Sequence, residues 1–298
     1  MNTRTQSLFR QRGVALIISL LVVAIVTALA LLFTARQQLW MRQIENRNNF
    51  TMAIDVAIAA IDMTRLTLRD DARRNRYDHL LEPWTIPIPP IAVEQGKVAG
   101  RITELQGRYN LTNLLPPANA TIRIDDANLV RVARAFSLST SDLAGLMTAY
   151  QNLRKREPYS TPELSELVRL AGLQADTLPA LERNLVVLPA RTPVNVNFAT
   201  AEVLQAAIAG LSASTAAEAV AQRNGNPFKT PEDFTKLLPE SVKGAASKEA
   251  VDVQTRFFLV DIDAWFNEMH TGYQALLQRD GSNMPRVVWA RRSKLSSS

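Results

Sequence analysis

No stretch of this sequence restricts its fold more than Val14 to Phe33, VALIISLLVVAIVTALALLF, a run with no charge, glycine or proline. A helix rises about 1.5 Å per residue, so a run of this length matches the roughly 30 Å hydrocarbon core of a bilayer. Lipid offers the backbone no hydrogen-bond partners, and a helix is the form in which one apolar run supplies its own. The flanks argue against ordinary secretion. A signal peptide has an apolar core of about 7–15 residues with a small-residue cleavage site after it. Here Phe33-Thr34-Ala35 puts a bulky residue where a small one is needed, and Gly13 lies ahead of the run. A cut after Gly13 leaves the whole span on the product. Arg4, Arg10 and Arg12 precede the span while Arg36, Arg42 and Arg47 follow it, so charge bias leaves its orientation open.

The helix is predicted to continue past the membrane surface, because no Gly or Pro occurs from Val14 to Glu82. Phe50, Ile54, Ala57, Ile58 and Ile61 recur at three- and four-residue steps and form one apolar stripe that requires a partner. The charged run from Arg69 to Arg76 reads as the solvated end of this helix. Pro83, Pro87, Pro89 and Pro90 then forbid helix, and Ile91–Val93, Lys97–Ala99 and Arg101–Leu105 read as strands with a turn at Glu94-Gln95-Gly96. From about Asn119 the spacing is helical: Ala127–Ala135, Ser141–Arg154, Pro162–Ala171 and Thr177–Leu188, with Asp142, Ser160 or Thr161, and Thr200 at expected N-caps. Ala201–Ala209, the link through Gly210, and Ala213–Gln222 form a helix-hairpin-helix pattern, and Pro227 to Phe234 contains another capped helix start. Strand signals return at Val253–Asp263, Tyr273–Arg279 and Arg286–Arg291, with a turn at Asp280-Gly281. Strands bracketing a helical block predict an α+β protein: a long N-terminal helix packed on a small antiparallel sheet into which an all-α domain is inserted. The expected boundaries are a leader over 1–13, the helix over 14–82, the first sheet segment over 83–117, the helical domain over 118–247 and the returning sheet over 248–298.

Catalytic patterns are absent. The chain has no cysteine, which excludes disulfides and thiol chemistry. His79 and His270 have no ligand or triad partner at a fixed spacing, and no glycine loop for phosphate occurs. Gly210-Leu-Ser-Ala-Ser214 approaches a nucleophile elbow but lacks its final glycine and the preceding strand. The net charge of +6 is scattered, and Ser212 replaces the second glycine of a DNA-binding hairpin, so no nucleic acid is expected and the hairpin reads as packing. Asp125 with Asp126, and Asp261 with Asp263, fall short of the six to eight oxygens of a calcium site. No enzyme is expected.

Arg10-Gln-Arg-Gly-Val-Ala-Leu-Ile17 and Ala35-Arg-Gln-Gln38 around the apolar run resemble type IV prepilin-like proteins, most closely the GspK family of type II secretion minor pseudopilins. Gly107–Leu114, Tyr159–Leu164, Pro193–Asn197 with Ala201–Leu204, and Leu276–Gly281 with Val287–Trp289 resemble that family in the same order. The resemblance implies a pilin-like fold with a SAM-like or helix-hairpin-helix insertion, cleavage between Gly13 and Val14 by prepilin peptidase, and N-terminal methylation. It implies a single-pass inner-membrane protein with its bulk in the periplasm. Its implied partners are GspI-, GspJ- and GspH-like pseudopilins, the inner-membrane assembly platform and secreted substrates; it implies that the Phe50–Ile61 stripe packs on the β-sheet of the same subunit and also joins the chain to other minor pseudopilins. No cofactor is required on this reading, although the family admits calcium; the metal ligands stay unassigned. At the fifth position after the cut, where most pilin-like subunits carry Glu, stands Ile18. That departure implies a subunit at the filament tip, initiating or capping assembly. The competing expectation is a membrane-tethered periplasmic helix-hairpin-helix module that receives DNA or protein.

Overall fold

The computed structural model describes residues 8–94, 96–116, 122–123, 126–158 and 160–293, with side chains from Val14 onward. Helix α1, Leu8–Arg74, is unbroken over 67 residues, or about 100 Å at helical rise. Its first part is fully exposed, and packing against the rest of the chain begins near Asn49 and Phe50. The helix ends at Arg74 rather than at Glu82, with Arg73 and Arg74 favourably placed at its negative pole. Tertiary bonds stop it before any proline does. The Asp78 amide donates to the Val253 carbonyl (2.8 Å), and Asn197 Nδ2 donates to the Asp78 carbonyl (3.0 Å), which pulls the segment after Arg74 out of helical geometry.

Strands β1 (Ile88–Val93) and β2 (Gly96–Glu104) form a hairpin with Glu94 in the left-handed region. The two short strands expected between Lys97 and Leu105 are one. After Glu104 the chain leaves the sheet. It forms β3 (Tyr109–Asn110), α2 (Ala127–Ala135), α3 (Thr140–Arg156), α4 (Leu164–Leu170), α5 (Leu178–Asn184), β4 (Leu185–Val186) and β5 (Val194–Asn195). Then come α6 (Ala201–Ala207), α7 (Ala213–Gly225), α8 (Pro231–Thr235), α9 (Glu240–Lys243) and β6 (Val251–Asp252). The sheet resumes as β7 (Phe257–Phe266), β8 (Met269–Gln278) and β9 (Arg286–Ser293). Its order is β1-β2-β7-β8-β9, antiparallel throughout, so β2 and β7 are neighbours although the inserted domain separates them in sequence.

The insertion therefore begins near Leu105 and closes near Arg256, wider than the expected 118–247. Tyr109, Leu111 and Leu115 lie in the helical domain's core, and two parallel strand pairs, β3 with β4 and β5 with β6, stitch that domain together. These two-residue strands are too short to show as strand patterns. Thr200 caps α6 as expected, whereas Ser139 rather than Asp142 caps α3, and α4 starts after Glu163 rather than at Ser160 or Thr161. Gly210 adopts φ +80° between α6 and α7, the left-handed geometry that the hairpin requires. The expected contributions of Gln95, Asp125 and Tyr159 lie outside the described residues.

One face of the sheet receives α1: Ala57, Ile61 and Leu68 are buried with Ile102, Phe258, Val260, Ile262, Ala264, Ala275 and Leu277. Alternation along β7 sends Phe257 and Leu259 to the opposite face. There Leu105, Val186, Leu188 and Leu276 join them beneath the inserted domain.

Candidate functional site

The segment with most contact surface is α1. Gly13 and Val14, the expected cleavage pair, lie inside it without a break, and Val14 is exposed. Through the span the hydroxyls bond back to the helix: Ser19 donates to the Leu16 carbonyl (2.9 Å), Thr27 to Val23 (2.8 Å) and Thr34 to Ala30 (2.9 Å). The span thus presents no unsatisfied hydroxyl to lipid. Ile18 stands on this bare surface, 54% exposed. One helix in the chain is long and apolar enough to cross a membrane among the described residues, and it fits a single-pass anchor.

Higher on α1 the expected stripe divides. Ala57 and Ile61 are buried against the chain's own sheet, Ile54 is half-buried, and Phe50 lies beneath the Arg292 guanidinium at 4.6 Å. Only Ile58, 45% exposed, is open to another subunit. Ala57 and Ile61 thus seat the helix on the chain's own sheet. The open apolar residues are others, Leu39, Trp40, Met41, Ile44, Met52 and Met63, which occur outside the three- and four-residue series. Sequence periodicity found the strongest apolar face, and the protein uses that face itself.

Where α1 ends, a buried polar junction ties helix, sheet and insertion together. Arg279, at the end of β8, reaches both carboxylate oxygens of Asp78 (2.6 Å each), Asp71 Oδ2 (3.1 Å) and the Thr255 carbonyl (3.0 Å), with its guanidinium over the Phe258 ring. Asp78 also accepts from the Thr255 amide (2.6 Å). Glu104 accepts from the amides of Gln106 (2.7 Å) and Gly107 (2.6 Å) and from the Thr255 hydroxyl, pinning the start of the insertion to its end. A Cβ on Gly107 would lie 2.5 Å from Phe198 Cβ, so this turn needs glycine. Asn197 spans Asp78 and Phe228 in the same way.

Two carboxylates, Asp71 and Asp78, bind the Arg279 guanidinium, and a third, Glu82, lies beside them. Glu82 is 2% exposed, its Oε1 accepts from Asn75, and its Oε2 has no hydrogen-bond partner. Burial, then the charges of Asp71 and Asp78, push the Glu82 carboxyl up to about 8. Burial also raises Asp71 and takes Glu104 up to about 7 against its three hydrogen bonds. At neutral pH Glu82 therefore carries a proton. Ligand oxygens of Asp71, Asp78 and Glu82 lie within 4.8 Å of one another, but the Arg279 guanidinium already provides the positive charge among them. Calcium needs six to eight oxygens, and the set does not fit it. The described acidic residues noted in the sequence have other partners. Asp126 caps α2, Asp261 accepts from Gln274 (2.8 Å), and Asp263 faces His270 (3.3 Å) on the open side of the sheet. His79 stacks on Tyr77 with its acidity set by burial, which lowers its pKa. Ser212 caps α7 by accepting from the Thr215 amide (3.1 Å), a packing role.

An exposed helix of membrane-spanning length, laid at its far end across a small antiparallel sheet interrupted by a helical domain, is a pilin-like architecture that fits a single-pass anchor. The family model for type II secretion system protein K matches residues 194–254, the stretch from β5 through β6. Type II secretion system protein K of Pseudomonas aeruginosa strain PAO1 is 29% identical over 308 aligned positions, covering 93% of this chain and 92% of that protein. A chain from the crystal structure of the GspK–GspI–GspJ complex of enterotoxigenic Escherichia coli superposes with a TM-score of 0.68 at 16% identity, covering 85% of this chain and all of that one. The chain is thus similar along nearly its whole length to a type II secretion system protein K.

Proposed function

We propose that this chain is the minor pseudopilin at the tip of a type II secretion pseudopilus, where it initiates or caps assembly and aids export of folded proteins across the outer membrane. In this role it is a structural component rather than an enzyme. Prepilin peptidase cleaves between Gly13 and Val14, the new terminus is methylated, and the span holds the protein in the inner membrane with sheet and insertion in the periplasm. GspI-, GspJ- and GspH-like subunits are its partners, together with the assembly platform.

Ile18 carries the reading. A carboxylate at mid-membrane costs about 2.5–3.5 kcal/mol on insertion scales and is kept where it meets a partner, in pilin-like subunits the terminal amine of a neighbour. Ile18 offers no such pair, so this subunit suits an end position rather than a repeating one. The inserted domain from Leu105 to Arg256 adds bulk that disfavours a helical lattice. The test is Ile18→Glu in the full chain. Membrane insertion is expected to persist while secretion falls. Normal secretion together with self-polymerisation detected by cross-linking would remove the tip assignment.

A further inference from the structure

The two edges of the sheet are built differently. On the β1 edge, Pro89 and Pro90 lack amide hydrogens, and pairing with β2 is irregular between Ile88 and Ile91; both are devices that close an edge to further strands. The β9 edge has no proline, although its pairing with β8 is irregular between Leu276 and Leu277, where Val288 is the extra residue. Arg286–Ser293 pairs on one side with β8 and ends the sheet on the other. Among the described residues, no backbone hydrogen bond joins this strand to anything beyond β8.

Charge on this edge is of one sign. Arg286, Arg291 and Arg292 are exposed, and β9 contains no acidic residue. Among the described residues, only Arg291 makes a salt bridge, with Glu163 (2.5 Å). Arg286 is held by the neutral Gln278 Oε1 (2.5 Å), and Arg292 lies over Phe50. Register places Arg286 opposite Gln278 and Arg291 opposite Gln274 on the open face, and Arg292 opposite Tyr273 on the face toward α1. An incoming strand therefore meets arginine on both of its faces. A second copy of this chain would bring arginine against arginine, which is unfavourable across a strand pair, whereas carboxylates are favoured there.

The geometry points to β9 as a docking edge for an acidic extended strand of another protein, added to the sheet by main-chain hydrogen bonds. The arginines keep copies of this chain apart and select carboxylates. This surface lies on the sheet and does not depend on the tip assignment.

The test uses the full chain in detergent and a synthetic peptide of alternating Val and Glu, with a Val–Lys counterpart and a backbone N-methylated Val–Glu version. Saturable binding of the acidic peptide is expected, with hydrogen-exchange protection confined to residues 286–293. N-methylation removes main-chain donors while leaving charge intact, so it should abolish binding whatever happens to a protein variant. The double substitution Arg286→Glu with Arg292→Glu should weaken binding about tenfold or more, with an unchanged melting temperature. Failure to bind, binding that survives N-methylation, equal binding of the Val–Lys peptide, or protection elsewhere would each overturn the proposal. Ala290→Cys, in a chain otherwise free of cysteine, tests the other occupant. Disulfide-linked dimers at high dilution would assign the edge to a second copy instead.

Discussion

Arg279→Ala leaves Asp78 buried without its cation, and loss of one partner of a buried pair typically costs about 3–5 kcal/mol. A fall of that size in unfolding free energy of the full chain in detergent is expected, together with loosening between α1 and the insertion. Glu82 acts in the opposite sense with pH. Its folded carboxyl is raised to about 8 against an ordinary 4.5, so its contribution to stability is complete below about 4.5 and is lost as pH rises through about 8. Melting temperature should therefore decline from mildly acid to alkaline pH, and Glu82→Gln should flatten that decline; an unaltered slope would show that Glu82 is not the titrating group. Neither residue was legible as part of a site. Asp71 read in sequence as part of a solvated helix end and Asp78, Glu82 and Arg279 carried no site reading, since the first three precede the insertion and the fourth follows it, and only the return of β8 beside α1 brings them together. The expectation for Ile18, by contrast, needs no fold, because its position is counted along the chain from Gly13.

The long helix and the sheet were visible in their patterns for different reasons. A run of apolar residues without Gly or Pro determines α1 locally, while β7 alternates buried and half-buried residues along most of its length. Its upper boundary was not legible, because Asp78, Val253 and Asn197 end the helix through bonds formed only after the chain has folded back. The same cause hid the true start of the insertion, and within the Phe50–Ile61 stripe Ala57 and Ile61 are core residues of this chain. Ile61→Ala should consequently destabilise the chain itself, by about 2–5 kcal/mol, with the loss seen in thermal unfolding without any partner present. Ile58→Ala should leave stability nearly unchanged. Equal costs at the two positions would contradict the division of the stripe. Gly210→Ala would place its Cβ in ordinary contact with Val242 Cγ2 (3.8 Å) but at a φ of +80°, so a loss of about 1 kcal/mol is expected from the backbone alone.

Taken together, the molecule is a membrane helix whose last turns are roofed by a sheet, with a helical domain carried between two neighbouring strands. Because β2 and β7 pair along Gly96–Glu104, the inserted domain can be large without separating the strands that receive α1. The same arrangement places the insertion near the end of α1 away from the apolar span. Relation to the type II secretion K proteins rests on nearly the whole chain, and the tip assignment adds to it what Ile18 and the insertion imply. The most direct test is the mature N-terminus, determined by mass spectrometry after expression in a bacterial membrane with and without prepilin peptidase. A methylated start at Val14 that appears only with the peptidase and disappears in Gly13→Leu is the predicted result. An intact Met1, or a start near Arg36, in the presence of an active peptidase would contradict it and leave a plain anchor or an ordinary exported protein.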